Sequence, residues 1–390
     1  MRKTLLVAGL VLAAPVLAAC TDNTAGADGG SGGDARSFTV SASDDACEVS
    51  GTTAPAGALT FEVTNTGSEV TEFYVLGSDG LRILGEVENI GPGISRSLTV
   101  KAPEGDYVTA CKPGMKGDGI RAAFSVTASD DGQEELSASD QQLVDEALAG
   151  YRLYVRDQSA QLLEKTAEFV ELYKAGDQDD AARALYPVAR QHWERIETVA
   201  ESFGDLDPKM DLREADLEPG QEWTGWHRIE KDLWPARAEK YRAMTPAQRA
   251  QYADDLLANT QTLDTEIQQL DYTIDQVANG SRGLLEEVAK GKVTGEEEYW
   301  SRTDLYDFQA NVDGARVGYE GVQPIVEKND PDLAATLTSR FAELQTLLDA
   351  QRVGDGFKTY DQLTPAEVKA LSDAVNALSD PLGRLTAAVV

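Results

Sequence analysis

The feature that most constrains this chain is a change of hydrophobic period between residues 128 and 139. Before it, apolar residues come in short runs broken by turn signals; after it, they recur at helical spacing over some 250 residues. A period near two demands strands with one face buried, and a period near 3.6 demands helices. One core cannot serve both patterns at this length, so the chain reads as multidomain β plus all-α, a small sandwich followed by a helical region.

The β part is placed at residues 36–128. Phe38-Thr39-Val40, Ala58 to Thr64, Glu72 to Leu76, Ser97 to Val100, Asp106 to Ala110 and Ala123 to Val126 are rich in β-branched and aromatic residues. Asn65-Thr66-Gly67, Ser78-Asp79-Gly80, Gly91-Pro92-Gly93 and Pro103-Glu104-Gly105 separate them. Six or seven strands of this kind predict a Greek-key β-sandwich. The succession Thr-Phe-Glu-Val-Thr-Asn-Thr-Gly, a Pro-Gly turn and Gly-Asp-Tyr-Val-Thr-Ala-Cys resembles a cupredoxin. A blue-copper centre needs two histidines beside its cysteine, and no histidine lies between residues 21 and 191. Blue-copper electron transfer is therefore excluded. Two candidate second metal sites remain in the sandwich: a soft one from Cys47, Cys111 and Met115, and a hard one from Glu72, Glu86 and Glu88. Alternatively, Cys47 and Cys111 form a disulfide, the simplest use of two cysteines in an exported chain.

Export is expected from the first 19 residues. Arg2 and Lys3 precede an apolar run too short to cross a bilayer, which ends in Leu17-Ala18-Ala19-Cys20. That pattern resembles a lipobox, which makes Cys20 a lipidation site and places the protein on the outer face of the cell membrane by a lipid anchor. After Cys20, residues 21–35 are almost entirely Gly, Asp, Ala, Ser and Thr without an apolar anchor, so 20–35 reads as a flexible tether. Loss of the leader removes Arg2 and Lys3 but no acid, so 33 basic residues face 67 acidic ones and the net charge moves from −32 to −34. Such a surface excludes nucleic acid and anionic lipid as partners.

Residues 129–138 form a polar linker, and 139–390 carry the helical pattern. Helices are expected at 139–173, ending at Gly176; at 179–203, bent at Pro187; around His227; and at 246–279. Thr245-Pro246-Ala247-Gln248, Thr294-Gly295-Glu296-Glu297 and Thr364-Pro365-Ala366-Glu367 read as three helix starts. Six to eight helices exceed one four-helix core and predict two packed helix bundles.

The chemistry concentrates around one of two histidines in the chain. His227 and Glu230 lie at i and i+3, and on a helix they share a face. Glu194, Glu197 and Glu201 form a second acidic stripe, and Asp304, Asp307 and Asn311 a third. One imidazole among carboxylates is a hard-ligand set, better suited to iron, manganese or calcium than to copper(I), with zinc an alternative. His192 falls on another face and reads as a packed or hydrogen-bonded residue. A His-Glu-x-x-His pair, a nucleophile elbow and a phosphate loop are all missing from the sequence, and beyond His227-x-x-Glu230 there is no second His-x-x-Glu or Glu-x-x-His for a di-iron bundle.

Gly225-x-His227-x-x-Glu230 resembles the Gly-x-His-x-x-Glu motif of the imelysin family. The runs Arg190 to Glu197 with Phe203 to Asp207, and Thr303 to Gly314, are similar to that family's other signatures. A cupredoxin-like domain ahead of an imelysin domain resembles the extracytoplasmic components of bacterial iron-uptake systems. The resemblance implies a non-enzymatic protein that captures iron as cargo through His227, Glu230, Glu194, Glu197, Asp304 and Asp307. It further implies delivery to an iron permease, with a haem peroxidase as third partner; copper or zinc is left open by the ligand types themselves, not by the resemblance. The competing expectation is an imelysin-type metallopeptidase using the same motif; a third is a surface module binding a polymer or partner, with the acidic site structural.

Overall fold

A computed structural model describes residues 35–80, 83–129, 137–238, 240–290 and 292–390. The leader, Cys20 and the tether lie outside the described residues, as does most of the linker. No helix among the described residues is long and apolar enough to cross a membrane.

Among the described residues nine strands precede the helices: β1 Ser37–Ala42, β2 Cys47–Val49, β3 Thr53–Pro55, β4 Gly57–Asn65, β5 Thr71–Gly77, β6 Ile83–Ile90, β7 Ser95–Ala102, β8 Gly105–Cys111 and β9 Ile120–Thr127. They form two sheets, ordered β2-β1-β4-β7 and β3-β9-β8-β5-β6. The β1–β4 and β3–β9 pairs are parallel and the rest antiparallel. Alternation sets the faces: Leu59, Phe61 and Val63 on β4 point inward and are fully buried. Phe38, Phe61, Phe73 and Phe124 pack ring to ring at 5.2–5.6 Å between the sheets. The sequence pattern missed β2, β3 and β6. The first two are three residues long, and β6 interrupts its alternation with Gly85, Glu86 and Asn89.

Cys47 on β2 and Cys111 on β8 are joined by a disulfide that links the two sheets. The soft copper site is therefore corrected: both thiolates are consumed, and Met115 sits 39% exposed on a surface turn.

Ten helices follow among the described residues: α1 Ala138–Ala175, α2 Asp179–Glu194, α3 Leu206–Asp211, α4 Gly225–Leu233, α5 Pro246–Ile267, α6 Ile274–Lys290, α7 Asp304–Asn329, α8 Pro331–Asp349, α9 Pro365–Leu382 and α10 Leu385–Val389. Their core divides in two. One part gathers Phe308, Leu337, Leu344, Val375 and Leu385 from α7 to α10. The other gathers Phe169, Tyr186, Trp193, Trp226 and Leu256 from α1 to α5. The long helix α1 feeds both, through Ala147 at one end and Val155 further on.

Three expected helix boundaries differ. The helix from 179 stops at Glu194 rather than Phe203, and the chain continues as a 3₁₀ turn over Glu197–Phe203. Packing imposes that change, because Gly280 and Gly314 bring α6 and α7 against the backbone there. A Cβ on Gly280 would stand 1.9 Å from the Thr198 carbonyl oxygen, and one on Gly314 2.5 Å from that of Arg195. The expected helix 246–279 is two helices, α5 and α6, broken between Ile267 and Ile274. Thr294 does not open a helix: Gly295 takes φ 74° and α7 begins only at Asp304. The capping boxes at Thr245–Gln248 and Thr364–Glu367 are present in full.

Helix α6 also meets the sandwich along its edge strand β7. Asn279 donates to the Thr99 carbonyl at 2.8 Å, Arg282 donates to those of Ser97 and Glu86 at 2.6 and 3.2 Å, and Asp275 accepts from the Lys101 N–H at 3.1 Å. These side chains cap backbone groups that an open sheet edge would otherwise present for pairing.

The disulfide closes a chain separation of 64 residues. Cys47→Ala with Cys111→Ala is expected to cost the fold about 4 kcal/mol. Urea unfolding checks this, and an unchanged midpoint contradicts it.

Candidate metal centre

The site is built around α4. Gly225 opens it with φ 83°, and a Cβ there would stand 2.1 Å from the Met210 carbonyl oxygen. Only glycine lets α4 start against α3, and that contact turns His227 inward toward Asp211. Trp226 and Ile229 fill the adjoining core, while His227 and Glu230, one turn apart, are 1% and 0% exposed.

Glu230 is held firmly. Its Oε1 accepts from the backbone N–H groups of Trp300 and Ser301 at 2.8 and 2.6 Å. Its Oε2 lies 3.4 Å from His227 Nδ1. A carboxylate bound in this way fixes an imidazole ring and the proton on Nδ1. The other ring nitrogen, Nε2, is buried without a hydrogen-bond partner. It faces Glu297 Oε1 at 3.4 Å and Asp211 Oδ1 at 3.5 Å. Two groups of potential ligands thus share the ring, Asp211–His227–Glu297 and His227–Glu230–Glu298. Asp211 is steadied by the Trp193 indole N–H at 2.9 Å, and Glu298 by the Ser301 hydroxyl at 2.8 Å.

Arg190 runs through the middle, wholly buried. Its guanidinium pairs with Asp211 and Glu194, lies 2.7 Å from Glu298, and 3.6 Å from both Glu297 and Asp307. The Lys292 ammonium pairs with Glu194 and, at 2.8 Å, with Glu197. Asn311 donates to the same two carboxylates at 3.0 and 2.8 Å. Asp304 accepts from the Glu298 N–H at 3.1 Å.

The sequence-expected residues therefore all border one nest, with different neighbours. His227 and Glu230 meet each other. Glu194 and Glu197 face Lys292, Asp307 faces Arg190, and Asp304 supports the Glu298 backbone. The Glu201 side chain lies outside the described residues. Asp211, Glu297, Glu298, Arg190 and Lys292 were missed. Glu297 was read as part of a helix cap, and Asp211 sits 16 residues before His227 with no periodic relation to it. In the sandwich, Glu72 accepts from the Tyr74 hydroxyl at 2.8 Å and lies 3.9 Å from Lys112. Burial, then Glu86, Glu72 and Glu88, push the Tyr74 phenol far above its usual range.

Eight carboxylates (Glu194, Glu197, Asp211, Glu230, Glu297, Glu298, Asp304 and Asp307) meet two fully buried permanent cations, Arg190 and Lys292, with Arg213 at the rim 3.5 Å from Glu297. The imbalance shows in proton affinities. Burial and neighbouring acids raise Glu298, Asp307 and Glu197 well above the usual carboxylate range and Asp304 to about 7. Burial also works against charge on Glu194, but Lys292 and Arg190 hold it low. For His227, burial and Arg190 work against the proton; Glu230, Glu297 and Asp211 outweigh them and lift the imidazole to about 9. A region this rich in buried negative charge must retain protons or take up cations.

Comparison with known proteins agrees with this architecture. A sequence model described as imelysin, of the M75 peptidase class, matches residues 147–385, and one for a cupredoxin-like domain matches 10–136. The chain belongs to the imelysin family. Within it, this imelysin chain is 36% identical over 349 residues to the iron uptake system component EfeO of Escherichia coli O157:H7, covering 89% of each chain. It is 35% identical, with the same coverage, to the proteins of that name in E. coli K12 and Shigella flexneri. A crystal structure of an imelysin-like protein from Psychrobacter arcticum aligns with a TM-score of 0.43 at 14% identity, over 62% of this chain and 92% of that one.

The second histidine stands apart. His192 is buried, with Nδ1 2.8 Å from Gln158 Oε1, and burial and Arg195 depress it to about 4. The unfolded chain takes up this proton below about pH 6.5, whereas the folded chain resists until about pH 4. Stability from His192 is thus complete above pH 6.5 and lost as pH falls toward 4. Between pH 7 and pH 5 the loss is about 2 kcal/mol. His192→Gln is expected to remove that share of the acid dependence in urea titrations; an unaltered pH slope contradicts it.

Proposed function

We propose that this chain is an extracytoplasmic iron-binding protein that captures the ion in the nest around His227 and delivers it to a membrane permease. The observation that carries this reading is a fully buried imidazole whose Nε2 has no hydrogen-bond partner and faces two carboxylates, inside a nest with more acids than cations. Hard oxygen donors with one nitrogen suit iron(II) and iron(III), with zinc a poorer match and copper(I) poorer still. The iron uptake names of the related proteins point the same way.

In this reading His227 Nε2, Asp211 and Glu297 provide the ligand face, and Glu298 completes the set. Glu230 orients the ring through Nδ1. The trapped protons leave as the ion enters, so charge is exchanged rather than added. Lipidation at Cys20 keeps the protein beside its permease, and a haem peroxidase is the third component. The hard-oxygen group Glu72, Glu86 and Glu88 is the remaining candidate for a second ion in the sandwich.

Peptidase chemistry is the second reading, favoured only by the class of the family. It requires a catalytic metal with an open position and a base near substrate. Here Glu230, the motif's carboxylate, spends both oxygens on the backbone and the imidazole.

Titration of the mature protein with iron(II) under anaerobic conditions tests the proposal. His227→Ala is expected to weaken binding by at least about 100-fold, and Asp211→Asn by about 10- to 100-fold. Undiminished affinity in both variants contradicts it. Metal-dependent cleavage of an unfolded protein substrate, lost in Glu230→Gln, would favour the peptidase reading instead.

A further inference from the structure

The sandwich and the helical region do not close completely on each other. Between β6 and β7 on one side and α6 and α9 on the other lies a cavity of about 250 Å³. Asn89 and Arg96 line it from the strands, Glu286 from α6 and Asp380 from α9. The Glu286 side chain is 7% exposed and that of Asp380 83%, so the cavity runs from the interior out to solvent. None of the lining residues belongs to the nest around His227.

Three polar atoms on this wall are buried without a hydrogen-bond partner, and they are of opposite kinds. Glu286 Oε2 and Asn89 Oδ1 are acceptors, and Arg96 Nε is a donor. Leaving such groups unpaired is costly, so a cavity that gathers three of them is built for an occupant. The ion pairs around it are also loose. Arg96 Nη1 lies 3.8 Å from both Glu286 Oε1 and Asp380 Oδ1, and Arg282 Nε lies 3.6 Å from Glu286 Oε1. At those separations charge is balanced while hydrogen bonds are not made. Asn89 stands in the left-handed region with φ 63°, which few residues other than glycine adopt. Its amide nitrogen contacts Glu88 at 3.5 Å, so the oxygen is the end left over.

The chemistry of the wall selects the occupant. Arg96 and Arg282 balance Glu286 and Asp380, so an ion of either sign gains no net attraction. The ligand must be neutral overall, yet offer donors to Glu286 and Asn89 and an acceptor to Arg96. Charged partners make such hydrogen bonds roughly twice as strong as a neutral hydroxyl would. Ala289 and Ala377 supply the apolar part of the wall, and no aromatic ring lines the cavity among the described residues. That leaves room for a short side chain and no platform for a flat ring. We propose that this cavity binds a small zwitterion of the free α-amino acid class. Its ammonium sits on Glu286 Oε2 and Asn89 Oδ1, and its carboxylate on Arg96. Bound there, the molecule joins the strands of the sandwich to α6 and α9. The proposal is independent of the iron reading, since it uses no residue of the nest.

L-alanine and L-serine are the probes, titrated into the full chain by calorimetry. At least one of them is expected to bind with a Kd below about 1 mM. Absence of saturable binding by either overturns the proposal, the cavity then holding water alone. Propionate and ethylamine each carry one half of the zwitterion and are expected to bind at least about 10-fold more weakly. Equal affinity for either half, or binding of D-glucose in place of the amino acids, overturns the assigned class. Glu286→Gln is expected to weaken binding by about 10- to 100-fold, and unchanged affinity overturns its role. Ala377→Phe keeps every charge and fills the cavity from a half-buried position on α9, so the test does not depend on how the Glu286 variant folds. It is expected to abolish binding; full affinity in that variant places the amino acid elsewhere and overturns the proposal.

Discussion

The ion pair at the heart of the helical region is Arg190 among its carboxylates. A guanidinium with no exposure lies within 4 Å of Asp211, Glu194, Glu297, Glu298 and Asp307, five of the eight carboxylates of the nest. It ties α2 to α3, to the segment before α7 and to α7 itself. Breaking such a buried pair from one side costs roughly 3–5 kcal/mol, because the remaining charges are stranded. Arg190 also sets the electrostatics around His227. Its positive charge opposes protonation of the imidazole and lets acidic side chains crowd within a few ångströms of one another. Acids still outnumber cations after Arg190 and Lys292 are counted. The remaining negative charge must be met by retained protons or by a cation, and the proposed function takes the second course.

Backbone approaches made possible by glycine place these groups. Gly225 brings α4 against the carbonyl of Met210, Gly280 brings α6 against Thr198, and Gly314 brings α7 against Arg195. Each contact lies within a few residues of a charged member of the nest. The α2 helix ends where it does because these contacts leave no room for another turn. Ending it at Glu194 sends Glu197 toward Lys292 rather than along a continuous stripe. The irregular segment between α6 and α7 then supplies Lys292, Glu297, Glu298 and the two N–H groups that hold Glu230.

Much of the fold was legible from periodicity, because each pattern reports a buried face. The strand runs with inward Leu59, Phe61 and Val63, the long α1 and the capping boxes at Thr245 and Thr364 all follow local rules. His227 and Glu230 were legible for the same reason, since i and i+3 share a face on any helix. The rest depended on tertiary structure. Nothing local says that Thr294-Gly295-Glu296-Glu297 turns its carboxylates inward instead of capping a helix. Nor does spacing show that Asp211 meets an imidazole 16 residues on. Glu194 and Glu197 illustrate the converse. They form a plausible metal stripe by spacing alone, and only the buried Lys292, 95 residues or more away in sequence, shows which cation sits on them.

X-ray absorption at the iron edge, on protein loaded with one equivalent of iron, tests the central claim most directly. The account predicts a first shell of oxygen atoms with a single imidazole, no sulfur, and loss of the imidazole scattering in His227→Ala. An iron shell without imidazole, or one unchanged by His227→Ala, would place the cargo elsewhere in the molecule and contradict it.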